Sequence, residues 1–193
     1  MTSLPTVSRA ASPAEPALAA ACSEAELISA TVAGNAQAFD EIVRTHHARV
    51  YNFLYQMTRN RHDAQDLAQQ TFIRAYNHLA GFDLKRPIIN WLLTIARHAA
   101  LNHFRDAKKW SEIPADAAAS GPTPARAAEC RDGASNLWNQ ARTVLSPREF
   151  EVMWLRFAEE LSTEETSRVV GLTQTHVKVI VFRARKALQK GRT

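Results

Sequence analysis

Apolar and polar positions in this chain alternate with helical spacing over most of its length. Between Ala64 and Leu79 small or apolar residues recur at Leu67, Ala68, Thr71, Phe72, Ala75, Tyr76 and Leu79, the three-then-one interval of an amphipathic helix facing a core. The other side of that helix carries Asp66, Gln69, Gln70, Ile73 and Asn77. This side is nearly uncharged where a solvated face ordinarily mixes Lys and Glu, so it reads either as a docking face or as a plain polar exterior.

The same reading places helices on either side. Ser23 and Glu26 have capping-box spacing, Leu27, Ile28 and Val32 supply a short apolar face, and Gly34 stops the helix. Asn35 caps a long helix with Phe39, Ile42, Val43, His46, Val50, Phe53, Leu54 and Met57 on its apolar side. "GFDLKRP" at 81–87 is a loop, because Gly81 ends one helix and Pro87 forces Arg86 out of helical geometry. A further helix runs from Ile88 to about Ala107 and is expected to bury Trp91, Leu92, Ile95 and Ala99.

Periodicity then lapses. Residues 108–136 mix Pro, Gly, Ser and Ala and read as a flexible linker, while the Ala/Ser/Pro-rich stretch 1–22 reads as a disordered tail. The chain is therefore expected to be all-α, with two small helical domains at 23–107 and 137–193. In the second, "SPRE" at 146–149 sets a Ser N-cap, a Pro at the first helical position and a Glu three residues after the Ser. Phe150, Met153, Trp154 and Phe157 form the expected buried face of that helix, with Trp138 and Trp154 as core anchors. "STEE" at 162–165 repeats the capping pattern, Gly171 interrupts, and Thr173 caps a last helix with Val177, Ile180, Val181, Ala184 and Leu188 on one stripe.

Charge changes the picture at this point. Over 193 residues Lys+Arg 24 exceed Asp+Glu 19, a net +5, and the excess is clustered. From Gln174 onward Lys178, Arg183, Arg185, Lys186, Lys190 and Arg192 occur with no acidic residue among them. Lys85, Arg86, Arg97, Arg105, Lys108 and Lys109 form a second basic group. Two basic runs on one chain favour nucleic acid over a merely solvated face. The helix at 163–170, the turn "GLT" and the basic helix from 174 make a helix-turn-helix pattern. Its second helix enters a major groove with Thr175, His176, Lys178, Val179 and Phe182 as reading residues and Arg183, Arg185 and Lys186 as phosphate partners.

Other chemistries find no support in the spacing. His46 and His47 are adjacent and point to different parts of a helix surface, so no metal site is expected. There is no Gly-rich phosphate loop and no nucleophile motif, so neither a cofactor nor an enzyme activity is expected. Cys22 and Cys130 imply no disulfide framework, which suits a reducing cytoplasm. "LAAAC" before Cys22 lacks the continuous apolar run of a signal peptide, since Arg9, Pro13, Glu15 and Pro16 precede it.

Taken in order, these segments resemble the extracytoplasmic-function sigma factors, bacterial subunits of the sigma-70 family that confer promoter recognition on RNA polymerase. "AFDEIVRTHHARVYNFLYQMTRNRHDAQDLAQQTFIRAYNHLAGFD" and "NWLLTIARHAALNHFR" look like the sigma-two domain. "LSPREFEVMWLRF", "STEE", "VGLT" and "RARKAL" look like the sigma-four domain. The resemblance implies that Asp66, Gln69, Gln70 and Ile73 dock on core RNA polymerase. It implies further that Phe82, Lys85, Arg86, Asn90, Arg97 and Arg105 serve the −10 element, and the helix from 174 the −35 element. It also implies an anti-sigma partner, often membrane-anchored, for a cytoplasmic protein with a stress- or signal-responsive regulon and no small-molecule substrate. The chain departs from the family pattern at Gln70, where Glu is more frequent, at Ile89 after Ile88, and at Ile180, where a base is frequent. Two other readings stay open: a helix-turn-helix regulator, which leaves the first block unexplained, and a sigma-like interaction protein with reduced promoter reading.

Overall fold

Capping chemistry divides the chain into its helices. The structure, a computed structural model, describes residues 23–111 and 133–190; the expected tail at 1–22, linker residues 112–132 and residues 191–193 lie outside the described residues. Helices α1 (Glu24–Val32), α2 (Ala36–Thr58) and α3 (Arg61–His78), a 3-10 turn (Leu79–Gly81) and α4 (Ile88–Ser111) form the first domain. Helices α5 (Gly133–Val144), α6 (Pro147–Phe157), α7 (Thr163–Val170) and α8 (Gln174–Lys190) form the second. No strand occurs among the described residues.

Ser23, Ser146 and Ser162 each complete a reciprocal capping box with Glu26, Glu149 and Glu165. Asn35 and Asn60 accept two backbone N–H bonds each at the starts of α2 and α3. Such caps satisfy amides that the helix itself leaves without partners. Gly171 closes α7 with φ +67°, the left-handed geometry that the helix-turn-helix turn requires. Arg59 ends α2 in the same geometry at φ 57° despite its side chain. One start is capped across the fold: the Ile88 backbone N–H, at the head of α4, donates to Glu24 Oε2 at 3.1 Å.

Helices α2, α3 and α4 pack on one another around Ile42, Val50, Phe53, Leu54, Leu67, Leu92 and Leu93, all almost fully buried. The second domain has its own cluster of Ala141, Leu145, Phe150, Met153 and Ala184, against which Trp138 and Trp154 pack. Val152, Leu155, Leu161, Val169, Val170 and Val177 instead belong to a buried cluster continuous with the first domain. The two domains thus close on each other, with α7 against α4 and α6 against α2.

That closure corrects several expectations. Helix α6 buries Val152, Leu155 and Glu151 as well as Phe150 and Met153, because it packs on both sides, while Phe157 stays 42% exposed. In α4 the buried line is Leu92, Leu93, Ala96, Ala99 and Ala100, and Trp91 and Ile95 lie half-buried at its margin. Tyr76 and Val32, expected in the core, are exposed. Helix α4 continues to Ser111 rather than ending near Ala107, and α5 begins at Gly133, ahead of Leu137.

His46 sits buried between α1 and α2 with Nε2 3.1 Å from Glu24 Oε1 and with Nδ1 unpartnered. Burial pushes its pKa below the ordinary 6.5; Glu24 opposes that shift and Arg49 adds to it. The unfolded chain therefore takes up this proton more readily than the folded one. The stability contribution is complete above pH 6.5 and is lost as pH falls through the depressed folded value. Urea unfolding of wild type should show stability falling as pH drops below about 6.5, and His46→Gln should flatten that decline. Identical slopes in the two proteins would contradict the assignment.

Candidate functional site

The uncharged side of α3 borders a groove. Gln69, Ile73 and Asn77 of α3, with Phe39, Val43 and His47 of α2, line a cavity of about 550 Å³. Asp66 and Gln70 are exposed beside it. Ile73 and Tyr76 are 54% and 46% exposed, an apolar floor under polar walls. The His47 ring lies parallel to Tyr51 and to Phe72, with centroids 6.2 and 6.1 Å away. The sequence reading missed His47 because a residue outside the α2 stripe has no signal until α3 lies beside it.

A second cavity, about 440 Å³, opens at the loop before α4. Phe82 and Trp91 meet there with ring centroids 5.1 Å apart, so Trp91 serves as half-buried support for the loop ring. Lys85 and Arg86 are exposed, with Arg86 3.3 Å from Asp83. Arg105 is exposed two residues past His103. Asn90 lines this cavity as well and Arg97 does not; both reach to the second domain. Asn90 Nδ2 donates to Glu165 Oε1 at 2.8 Å, while its buried Oδ1 has no partner. Arg97 Nε donates to Glu151 Oε1 at 2.6 Å, with side chains only 13% and 9% exposed. Ile88 and Ile89 are buried and help to anchor α4.

The last helix sorts its residues by side. Val177, Ile180 and Ala184 are buried, while Thr175, His176, Lys178, Val179, Phe182, Arg183, Arg185 and Lys186 are all exposed. Thr173 Oγ1 accepts from the His176 N–H at 3.3 Å, which fixes the start of α8. Phe182 is 68% exposed, and Arg185 lies over the Phe157 ring at 5.1 Å. Ile180, one of the departures from the family pattern, is thus a core residue and not a lost contact.

Carboxylates of the second domain are the residues that sequence reasoning missed. Besides Glu151 and Glu165, Glu159 accepts from Arg49 Nε at 2.9 Å and its backbone carbonyl accepts from Arg49 Nη2 at 3.1 Å. Ser162 lowers the Glu165 pKa through hydrogen bonds from its hydroxyl and its backbone N–H, and Asn90 adds to this, so the carboxylate stays ionised. Arg142 is pushed down to about 10 by burial and by neighbouring Arg59, and it donates to the Gln56 carbonyl across the domain boundary. Only the capping role of Glu165 was visible from spacing.

Comparison with known proteins agrees with this layout. The sigma-70 region 2 model matches residues 42–110 and the sigma-70 region 4 model matches residues 143–190. The ECF RNA polymerase sigma factor SigM of Bacillus subtilis is 31% identical over 155 residues, covering 78% of this chain and 92% of that protein. The RNA polymerase sigma factor YlaC of the same organism is 32% identical over 158 residues, covering 80% and 91%. In fold the chain is similar to CnrH as solved in complex with the cytosolic domain of CnrY, with a TM-score of 0.63, 23% identity and coverage of 86% of this chain and 94% of that one. Two helical domains in this order, matching relatives along most of their length, settle the family: the chain belongs to the extracytoplasmic-function sigma factors of the sigma-70 family, which direct RNA polymerase to promoters.

Proposed function

We propose a division of labour among three surfaces. The α2–α3 groove with Asp66, Gln69, Gln70 and Ile73 docks core RNA polymerase; Phe82, Lys85, Arg86, Asn90, Arg97 and Arg105 serve the −10 element; the exposed side of α8 reads the −35 element. The observation that carries this reading is the sorting of α8, where every residue assigned to DNA is exposed and the stripe between them is buried. A mostly apolar groove with exposed Ile73 and Tyr76 and a polar rim of Gln65, Gln69 and Asn77 suits a docking face with an apolar centre. Asn90 Oδ1, a buried acceptor without a partner, is satisfied by the amino group of an unstacked base. No catalytic step falls to the chain itself; it acts in the cytoplasm by positioning the polymerase.

An anti-sigma factor is the expected regulator. The solved chain similar in fold is held by the cytosolic domain of CnrY, and another is the sigma factor RpoE with the anti-sigma factor NepR from Bartonella quintana. Among the described residues no helix is long and apolar enough to cross a membrane, so membrane tethering of this chain would come through such a partner.

Docking is tested by pull-down of core RNA polymerase. Gln69→Ala with Gln70→Ala should weaken capture about tenfold or more, as expected for loss of two central polar contacts, while duplex binding through α8 is retained. Undiminished capture would contradict the docking assignment.

DNA reading is tested by titration on specific and scrambled duplexes at several salt concentrations. Arg185→Ala should weaken both duplexes alike and lower the salt slope by about one. Lys178→Ala, near the helix start, should cost roughly 1–3 kcal/mol on the specific duplex alone. Equal losses on both duplexes for both variants would make α8 a nonspecific anchor.

A further inference from the structure

A third cavity, about 320 Å³, lies between α2 and α4 of the first domain and α5 and α6 of the second. Its walls are largely apolar: Phe53 and Met57 of α2, Leu101 and Phe104 of α4, Phe150 and Trp154 of α6. Leu101 and Phe104 are 41% and 40% exposed, so part of this apolar lining stays in contact with water. The charges among these walls are unbalanced. Arg97, Arg142 and Arg148 line the cavity with one carboxylate, Glu151, and Arg97 already takes that carboxylate at 2.6 Å. Arg148 is exposed and makes no ion pair with the described residues. Arg142 Nη2 donates to the Gln56 carbonyl and to Gln56 Oε1, and its guanidinium lies 3.9 Å from the Phe150 ring centroid. Its buried Nε has no partner, and none of the groups it touches is an anion.

We infer that this cavity binds a small amphiphilic anion: an organic acid whose aromatic or alkyl body lies among Phe53, Phe104 and Trp154 and whose carboxylate is held by Arg142 and Arg148. Three observations select that chemistry. The volume lies at the small end of the range for pockets that take organic ligands, about 300–1,000 Å³. The apolar walls release water when a ring or an alkyl chain takes its place. The two arginines supply positive charge that no carboxylate of the cavity answers. Burial and the neighbouring Arg59 push Arg142 down to about 10, so its charge is short of compensation. An anion beside it restores that compensation and accepts the hydrogen bond that Nε lacks. Such a molecule is a ligand and not a substrate. Because both domains build the walls, its binding stabilises the folded chain by mass action.

The test titrates the full chain with two acids, naphthoate and decanoate, by isothermal titration calorimetry at low salt, beside their uncharged amides, naphthamide and decanamide. At least one acid should bind with a Kd below about 1 mM and raise the Tm. Its amide should bind about tenfold more weakly, as expected for loss of one hydrogen bond between charged groups. Arg142→Gln and Arg148→Gln should each weaken that acid about tenfold and leave the amide within about twofold. Arg148→Gln, at an exposed position, keeps the question answerable if Arg142→Gln loosens α5. An amide that binds as tightly as its acid would make the cavity a plain apolar pocket, suited to a side chain of another protein, and would overturn the proposal. Acid affinity that neither replacement changes overturns it too, as does the failure of both acids to bind at about 1 mM.

Discussion

Arg97 and Glu151 meet at 2.6 Å between α4 and α6, both almost sealed from water. Neither charge is tolerable at that depth without the other, since an unpaired buried ion costs several kcal/mol. Each therefore fixes where the opposite domain sits. With α6 held there, Val152 and Leu155 join the buried cluster of the first domain and α7 lies along α4. The placement of Glu165 against Asn90 and of Glu159 against Arg49 follows from the same seat.

This arrangement gives α4 two uses. Its buried line, Leu92, Leu93, Ala96, Ala99 and Ala100, belongs to the core and stays put. Its polar margin, Asn90 and Arg97, is engaged by the carboxylates of Glu165 and Glu151. The α2–α3 groove is lined by first-domain residues, and Thr175, Lys178 and Phe182 of α8 are exposed.

Much of this was legible from residue spacing. The capping boxes at Ser23, Ser146 and Ser162, the turn at Gly171 and the stripe of α8 are local, set by residues within a few positions of each other, and they stand where the pattern placed them. What spacing could not show is what a second packing partner does to a helix. Glu151 lies off the apolar stripe read for α6, and it is buried where it pairs with Arg97 of α4; Phe157, read as part of that stripe, is left exposed. The Glu24 cap on Ile88 spans 64 positions and the Arg49 contact with Glu159 spans 110, distances at which periodicity carries no information. The family resemblance supplied the surfaces and their roles, but not that one surface lies against the other domain.

The most direct measurement is the interdomain distance in solution, by pulsed electron–electron resonance between nitroxides at Asp40→Cys and Gln189→Cys, both exposed positions, with Cys22 and Cys130 replaced by Ser. The account predicts one narrow distribution for the free chain and a shift to longer distances on addition of core RNA polymerase. A broad distribution in the free chain, or a narrow one that polymerase leaves unchanged, would contradict it.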